Sequence, residues 1–130
     1  MVNVTLLIDD SDIDLFIQRR FLEVYHFSRT LISYKSADDA LSWLGSLTNG
    51  FPDVIFLDLN MPKTDGFAFL EKFSGLPETM TAKSKIIILT SSNSKADVER
   101  AMVNKNVVHF ITKPIKQSDI EELKAKFTSL

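Results

Sequence analysis

Acidic, hydroxyl and amine side chains follow four short apolar runs of this 130-residue sequence; they are Asp9-Asp10, Asp58, Thr90-Ser91 and Lys113. Two like unit charges about 4 Å apart repel by roughly 4 kcal/mol at an effective dielectric of about 20, so three carboxylates brought together need a cation. The chain has no cysteine, and neither of its two histidines falls in this pattern. Oxygen ligands alone favour a hard ion such as Mg²⁺ over zinc.

The amine and the hydroxyl indicate what such an ion would act on. Mg²⁺ held by only two or three protein oxygens keeps water molecules that a phosphate can replace. Lys113 supplies a positive point charge and Thr90 a hydroxyl donor, and both suit the oxygens of a phosphoryl group. The set therefore predicts phosphoryl transfer to or from a carboxylate, with Asp58 as the natural nucleophile.

The elements that must position these residues are predicted from the apolar pattern. Five runs rich in β-branched and aromatic residues predict strands at 4–8, 31–34, 54–57, 86–89 and 107–111. Between them, apolar residues at helical spacing predict five helices, the first with a stripe of Ile13, Phe16, Ile17 and Phe21 beginning just past Ser11. This alternation predicts an α/β three-layer sandwich with a parallel five-stranded sheet. We expect the flavodoxin-like strand order 2-1-3-4-5, an order that the periodicity itself does not fix.

That strand order would bring the polar residues together. Open parallel sheets bind ligands beyond the carboxyl ends of their strands, near the point where the strand order reverses. Strands one, three, four and five would be spatial neighbours there. The acids, the hydroxyls and the amine would then converge at one rim of the sheet.

The same motifs, in the same order, resemble the receiver domain of two-component response regulators over essentially the whole chain. They are Asp9-Asp10, the stretch Asp58-Leu59-Asn60-Met61-Pro62-Lys63-Thr64-Asp65-Gly66, Thr90-Ser91 and Lys113-Pro114. The resemblance implies that Asp58 is the phosphoacceptor. It also implies that Asp10, Asp58 and the backbone carbonyl of Asn60 hold Mg²⁺, or another divalent cation such as Mn²⁺, while Asp9 acts mainly through water.

Further roles are implied by the resemblance alone. Thr90 would contact the phosphoryl oxygen and couple its presence to movement, the Ser91 amide would help to bind it, and Lys113 would pair with it. Phe110 stands where the family carries its rotating aromatic switch, and a cis bond is implied between Lys113 and Pro114. The phosphoryl donor would be a histidine kinase or a histidine phosphotransfer protein.

The expected function is therefore a phosphorylation switch that modifies only itself, and not an enzyme with an external substrate. Its output would be docking on a downstream protein, through the face formed by the helix after strand four, strand five and the last helix. The chain is expected to be one receiver domain over residues 1–130, with no separate effector domain.

Three other functions compete with this interpretation. A phosphorylation-independent pseudo-receiver would need none of the acids, Thr90 or Lys113, yet all are retained. A haloacid dehalogenase-type phosphatase needs a second acid two residues after its nucleophile as the general acid/base, and this chain has Asn60 there. A flavodoxin binds the phosphate of its flavin in a first loop rich in Ser, Thr and Gly. This chain has Asp9-Asp10-Ser11-Asp12 in that loop, which would repel a phosphate.

Charge and hydropathy bear on whether the protein binds nucleic acid, enters a membrane or is secreted. With 15 basic and 17 acidic residues the net charge is −2, and no basic stripe marks a nucleic-acid surface. No apolar run approaches the ~18 residues that cross a bilayer, and the first residues lack the positive region of a signal peptide. We expect a cytoplasmic protein with no direct contact to nucleic acid or membrane.

Overall fold

The computed structural model describes residues 1–59, 61, 65–91 and 95–127. Five strands alternate with helices along the chain: β1 Val2–Ile8, β2 Ser28–Tyr34, β3 Val54–Asp58, β4 Lys85–Thr90 and β5 Val107–Thr112. The helices are α1 Asp12–Val24, α2 Ala37–Ser46, α3 Gly66–Ser74, α4 Glu78–Thr81, α5 Lys95–Met102 and α6 Gln117–Lys126.

The sheet is parallel throughout and has the order β2-β1-β3-β4-β5, which confirms the predicted order and the flavodoxin-like class. Every residue of the central strand β3 is buried, whereas the edge strand β2 is partly exposed. This gradient explains why β3 is apolar without alternation, since helices cover both of its faces. The register aligns Ile8 with Leu57 and Asp58 with Leu89, so the strands end at a common rim.

Two apolar cores lie between the sheet and the helices, one on each face of the sheet. On one face of the sheet, α1 and α6 pack through Leu15, Leu22, Ile120 and Leu123. On the other face, α2, α3 and α5 pack through residues that include Ala40, Leu44, Phe69, Phe73 and Ala101. Burying each leucine, isoleucine or phenylalanine of these cores stabilises the fold by about 1.5–3 kcal/mol, and the rim groups are mounted on the strands that these cores hold together.

The prediction of five helices is wrong by one short element. α4 is a single turn of four residues, which is too short to show an apolar period in the sequence. Pro77 precedes it with its carbonyl accepting from the amides of Met80 and Thr81. The turn is held by Thr81, which is 4% exposed, and by Asn106, whose side-chain amide donates to the Thr81 carbonyl at 2.8 Å.

The predicted buried stripe of α1 is also wrong in its rotation. Ile13 and Phe16 are 72% and 69% exposed. The residues that α1 buries are Leu15, Gln18 and Leu22, with Ile17 and Phe21 only partly buried at the margin. The face that α1 turns toward the sheet also contains Gln18, whose side-chain amide donates to the Asp9 carboxylate at 3.0 Å. In the described part of the chain, no helix is both long and apolar enough to span a membrane.

Candidate functional site

Three carboxylates meet at the rim where β1 and β3 end. Oxygens of Asp9, Asp10 and Asp58 all lie within 4.8 Å of one another. Asp9 and Asp58 are 0% and 4% exposed, whereas Asp10 faces solvent. The sequence prediction that these acids converge is therefore confirmed, and the cluster is open on one side.

Asp9 is anchored through both of its oxygens. The Ser11 amide donates to Oδ1 at 3.0 Å, and the Gln18 side-chain amide donates to Oδ2 at 3.0 Å. The Lys113 ammonium lies 2.8 Å from the same Oδ2. These three contacts hold the Asp9 carboxylate in place within the acid cluster.

Gln18 is a site residue that the sequence prediction missed. It is 3% exposed and lies between Leu15 and Leu22 on the buried face of α1. A glutamine at helical spacing within a buried apolar stripe is a signal, because a buried polar group needs a hydrogen-bond partner. The partner here is the Asp9 carboxylate, which Gln18 holds in place.

Lys113 is the cationic centre of the site. Its ammonium lies 2.8 Å from Asp9 Oδ2, 2.8 Å from Asp14 Oδ2 and 3.4 Å from Asp58 Oδ2. Burial lowers the pKa of Lys113, but hydrogen bonds to Asp14 and Asp9 and the charges of Asp58 and Asp9 outweigh burial and hold this pKa above its ordinary value. The side chain therefore carries a positive charge throughout the neutral range.

Asp14 is the second residue that sequence reasoning missed. It sits in the first turn of α1, where its backbone amide donates to the Oγ of the N-cap Ser11 at 3.2 Å. An acid in a first helical turn is favoured by the helix dipole, so nothing local distinguishes it from Asp12. Only the tertiary contact with Lys113 does so.

The ends of β4 and β5 are joined at the rim. The Lys113 amide donates to the Thr90 carbonyl at 2.8 Å, and Thr90 is aligned with Thr112. Thr90 is 2% exposed, while Ser91 is exposed and lines, with Lys113 and Pro114, a cavity of about 260 Å³. The implied cis peptide bond between Lys113 and Pro114 is present.

The motif that begins at Asp58 ends in Gly66, a position where the structure leaves no room for a side chain. A Cβ on this residue would lie 2.6 Å from Leu59 Cα and 2.8 Å from the Asp58 carbonyl oxygen. The Gly66 amide also donates to the Leu59 carbonyl at 3.1 Å, and Asp65 caps α3 by accepting from Ala68. Any side chain at residue 66 would push against the backbone that carries Asp58.

Phe110 lies on the same face of the sheet as Thr90. Phe110 is aligned with Ile88 and Thr112 with Thr90, and side chains two positions apart on a strand share a face. The ring is 40% exposed, so in this conformation it is not a core residue. The predicted metal ligand Asn60 lies outside the described residues.

The donor set fits a divalent hard cation. Among the described residues the cluster offers one carboxylate oxygen from each of the three aspartates, and Asp10 reaches solvent, where the ion could keep water ligands. Two of these acids are buried beside Lys113, and a further positive charge would relieve the repulsion among the three carboxylates.

Comparison with known proteins agrees with this geometry. Residues 5–125 match the response regulator receiver domain family. Hybrid signal transduction histidine kinase L of Dictyostelium discoideum is 28% identical over 98% of this chain, which spans 7% of that protein's length.

Two solved structures show the same fold. A two component response regulator from Cytophaga hutchinsonii has a TM-score of 0.90 and 27% identity, covering 99% of this chain and 98% of that one. The Mn²⁺-bound form of response regulator Rcp1 has a TM-score of 0.73 and 25% identity, covering 98% of this chain and 92% of that one. The chain therefore belongs to the response regulator receiver domain family of two-component signalling.

Proposed function

We propose that this receiver domain, taken as residues 1–130, is a cytoplasmic phosphorylation switch in which Asp58 accepts a phosphoryl group. One observation carries the proposal: Asp58 ends the central strand within 4.8 Å of Asp9 and Asp10 and 3.4 Å from Lys113. The proposed nucleophile, the acids proposed to hold a cation and the Lys113 ammonium therefore lie together at one rim. The donor class is a phosphohistidine on a histidine kinase or on a histidine phosphotransfer protein.

Mg²⁺ or Mn²⁺ is the proposed cofactor. Asp10 and Asp58 would hold it directly, together with the backbone carbonyl of Asn60, while Asp9 would act through water. The bound cation would supply positive charge to offset the carboxylates and the transferring group. Support comes from the oxygen-only cluster of this chain and from the Mn²⁺-bound relative.

The transfer step uses the carboxylate as nucleophile. An Asp58 oxygen forms a bond to phosphorus as the phosphorus–nitrogen bond of the phosphohistidine breaks, and the electron pair returns to the imidazole. Lys113 neutralises charge on the transferring group, and the Ser91 amide and the Thr90 hydroxyl would hold its oxygens. Water later returns the acyl phosphate to a carboxylate and free phosphate, so no external substrate is turned over.

The structural effect of phosphorylation at Asp58 would be transmitted through Thr90 to β5. A phosphoryl group on Asp58 would draw the Thr90 hydroxyl toward the rim and leave room on the shared face of the sheet for the Phe110 ring to turn inward. That motion would bias the face formed by α5, β5 and α6 toward a form that binds a downstream protein. A shift from 1:99 to 99:1 takes about 5.5 kcal/mol, which a few charge-assisted hydrogen bonds can supply.

The alternative is a pseudo-receiver that binds partners without phosphorylation. Intact-mass measurement separates the two functions, using acetyl phosphate as donor with Mg²⁺ and, in a parallel sample, with a chelator. The proposal expects a gain of about 80 Da that needs the cation. A protein of unchanged mass under both conditions would favour the pseudo-receiver.

A further inference from the structure

One partner of Lys113 takes no part in the proposed transfer step. Asp14 Oδ2 lies 2.8 Å from the Lys113 ammonium and links the first turn of α1 to the end of β5. We propose that Asp14 is a positioning residue that restrains Lys113 and lowers phosphoryl capture at Asp58. This inference rests on the proposed function, since it concerns the regulation of the same site.

The number of donors on the ammonium supports the restraint. A lysine ammonium has three N–H donors in all. Two short contacts of 2.8 Å, to Asp9 and Asp14, engage two of them, while the contact to Asp58 is longer at 3.4 Å. An arriving phosphoryl group must therefore compete for this ammonium with carboxylates that already hold it.

Asp14 is the partner that can give way. Asp9 is fixed by Ser11 and Gln18, and its side chain is 1% exposed. The Asp14 side chain is 36% exposed, so water can solvate its carboxylate when the contact with Lys113 breaks. Before phosphorylation, Asp14 therefore limits how readily the Lys113 ammonium can contact a phosphoryl group arriving at Asp58.

The charge balance acts in the same direction. Among the described residues, four carboxylates, those of Asp9, Asp10, Asp14 and Asp58, lie around Lys113 at this rim. A divalent cation and Lys113 together would offset all but one of these negative charges. The remaining charge opposes an anionic phosphoryl donor and favours the metal cation, so its removal should shift the two ligands in opposite directions.

The test compares Asp14→Asn with the wild-type protein in two measurements. At saturating Mg²⁺ and low acetyl phosphate, we expect the rate of phosphoryl uptake, followed by intact mass, to rise roughly tenfold, which corresponds to about 1.4 kcal/mol. Calorimetric titration with Mg²⁺ alone should show binding that is several-fold weaker. A loss of packing would weaken both processes together, so a rise in uptake with a fall in Mg²⁺ affinity identifies the restraint.

Asp12→Asn is the matched control. It removes the same charge from the same helical turn, but Asp12 pairs with Lys35 at 3.1 Å and its side chain is 78% exposed. We expect both quantities to change less than twofold in this variant. Asp14→Ser supplies a second variant without the charge, and far-ultraviolet circular dichroism reports whether each variant is folded.

The possible results separate the two proposals. Uptake in both folded Asp14 variants that equals the wild-type or Asp12→Asn rate, or falls below it, overturns the restraint and leaves the proposed function intact. A wild-type protein that takes up no phosphoryl group overturns the proposed function, and the restraint on capture with it. Uptake that rises while Mg²⁺ binding weakens supports both.

Discussion

Lys113 Nζ lies 3.4 Å from Asp58 Oδ2, a contact that is electrostatic and longer than an ordinary hydrogen bond. Lys113 and a bound cation would serve the same buried acids. Lys113→Met should therefore destabilise the metal-free protein by about 3 kcal/mol, because it leaves Asp9 and Asp58 without their shared partner. Added Mg²⁺ should raise the unfolding temperature of this variant more than that of the wild-type protein.

The measurement is thermal unfolding with and without Mg²⁺. Lys83→Met is the control, since Lys83 is exposed, and it should respond to Mg²⁺ as the wild-type protein does. Equal Mg²⁺ shifts in all three proteins would mean that the lysine and the ion do not serve the same carboxylates.

Asp10 is the exposed member of the acid cluster and a proposed direct ligand. Asp10→Asn should abolish calorimetric Mg²⁺ binding, because a neutral amide replaces one of the anionic ligands. Without metal, the free energy of unfolding of this variant should exceed that of the wild-type protein by roughly 0.5 kcal/mol, because one like-charge repulsion is removed. Asp12→Asn again serves as the control, and an unchanged Mg²⁺ titration in Asp10→Asn would remove Asp10 from the metal site.

Gly66 should tolerate no side chain. Its added Cβ would lie 2.6 Å from Leu59 Cα, a backbone atom that cannot move without displacing the end of β3. Gly66→Ala should lower the free energy of unfolding by roughly 2 kcal/mol and slow phosphoryl uptake, as expected of overpacking beside the site. Gly45→Ala in α2 is the matched control.

No atom lies within 4 Å of a Cβ added at Gly45, and alanine is the better helix former. Gly45→Ala should therefore stabilise the protein by about 0.5 kcal/mol and leave uptake unchanged. Urea unfolding gives both free energies. Similar stabilities for the two variants would show that the approach of Gly66 to Leu59 does not constrain residue 66.

The Phe110 ring should respond to phosphorylation. It is 40% exposed and shares a sheet face with Thr90, so an inward turn should reduce its exposure. Fluorine NMR of the protein carrying 4-fluorophenylalanine should show the Phe110 resonance moving when acetyl phosphate and Mg²⁺ are added. The resonance of Phe16, which is 69% exposed and belongs to a helix on the opposite face, should stay in place.

Assignment of the two resonances uses Phe110→Tyr and Phe16→Tyr, each of which removes one signal. A Phe110 resonance that is unaffected by stoichiometric phosphorylation would exclude the ring from the switch. The same spectra would still report whether other rings move.

The alternation of strands and helices and the positions of the acids could be predicted because both depend on strong local signals. The strand order is not a local property; it was expected from the flavodoxin-like class, and the sheet confirms it. A buried parallel strand is apolar along its length, and the residue that follows it reaches the rim whatever the loop conformation. Thus Asp9, Asp58 and Lys113 could be placed by counting from the end of each apolar run, and the structure brings them together.

The face of α1 could not be predicted in the same way. Its sequence has two overlapping apolar stripes, one through Ile13 and Phe16 and one through Leu15 and Leu22. The second stripe packs on the sheet, and the same rotation places the Gln18 side-chain amide 3.0 Å from Asp9. Composition favours the first stripe, whereas the need to satisfy a buried carboxylate favours the second.

Asp14 was missed for the same reason. In the sequence it is one of several acids at the start of a helix, and only the rotation of α1 turns it toward Lys113. The one-turn helix α4 was missed because four residues carry no period. Both omissions concern features that are fixed by packing between elements rather than within them.

Phosphorylation of Asp58 is the central claim, and its direct test is site mapping on the intact protein. The wild-type protein is treated with acetyl phosphate and Mg²⁺, and Asp58→Asn is treated in parallel. Borohydride reduction followed by peptide mass spectrometry then marks the modified aspartate. We predict a mass gain of about 80 Da in the wild-type protein alone, with the reduced residue at Asp58. An equal gain in Asp58→Asn, or a mark at any other residue of the wild-type chain, would contradict the account.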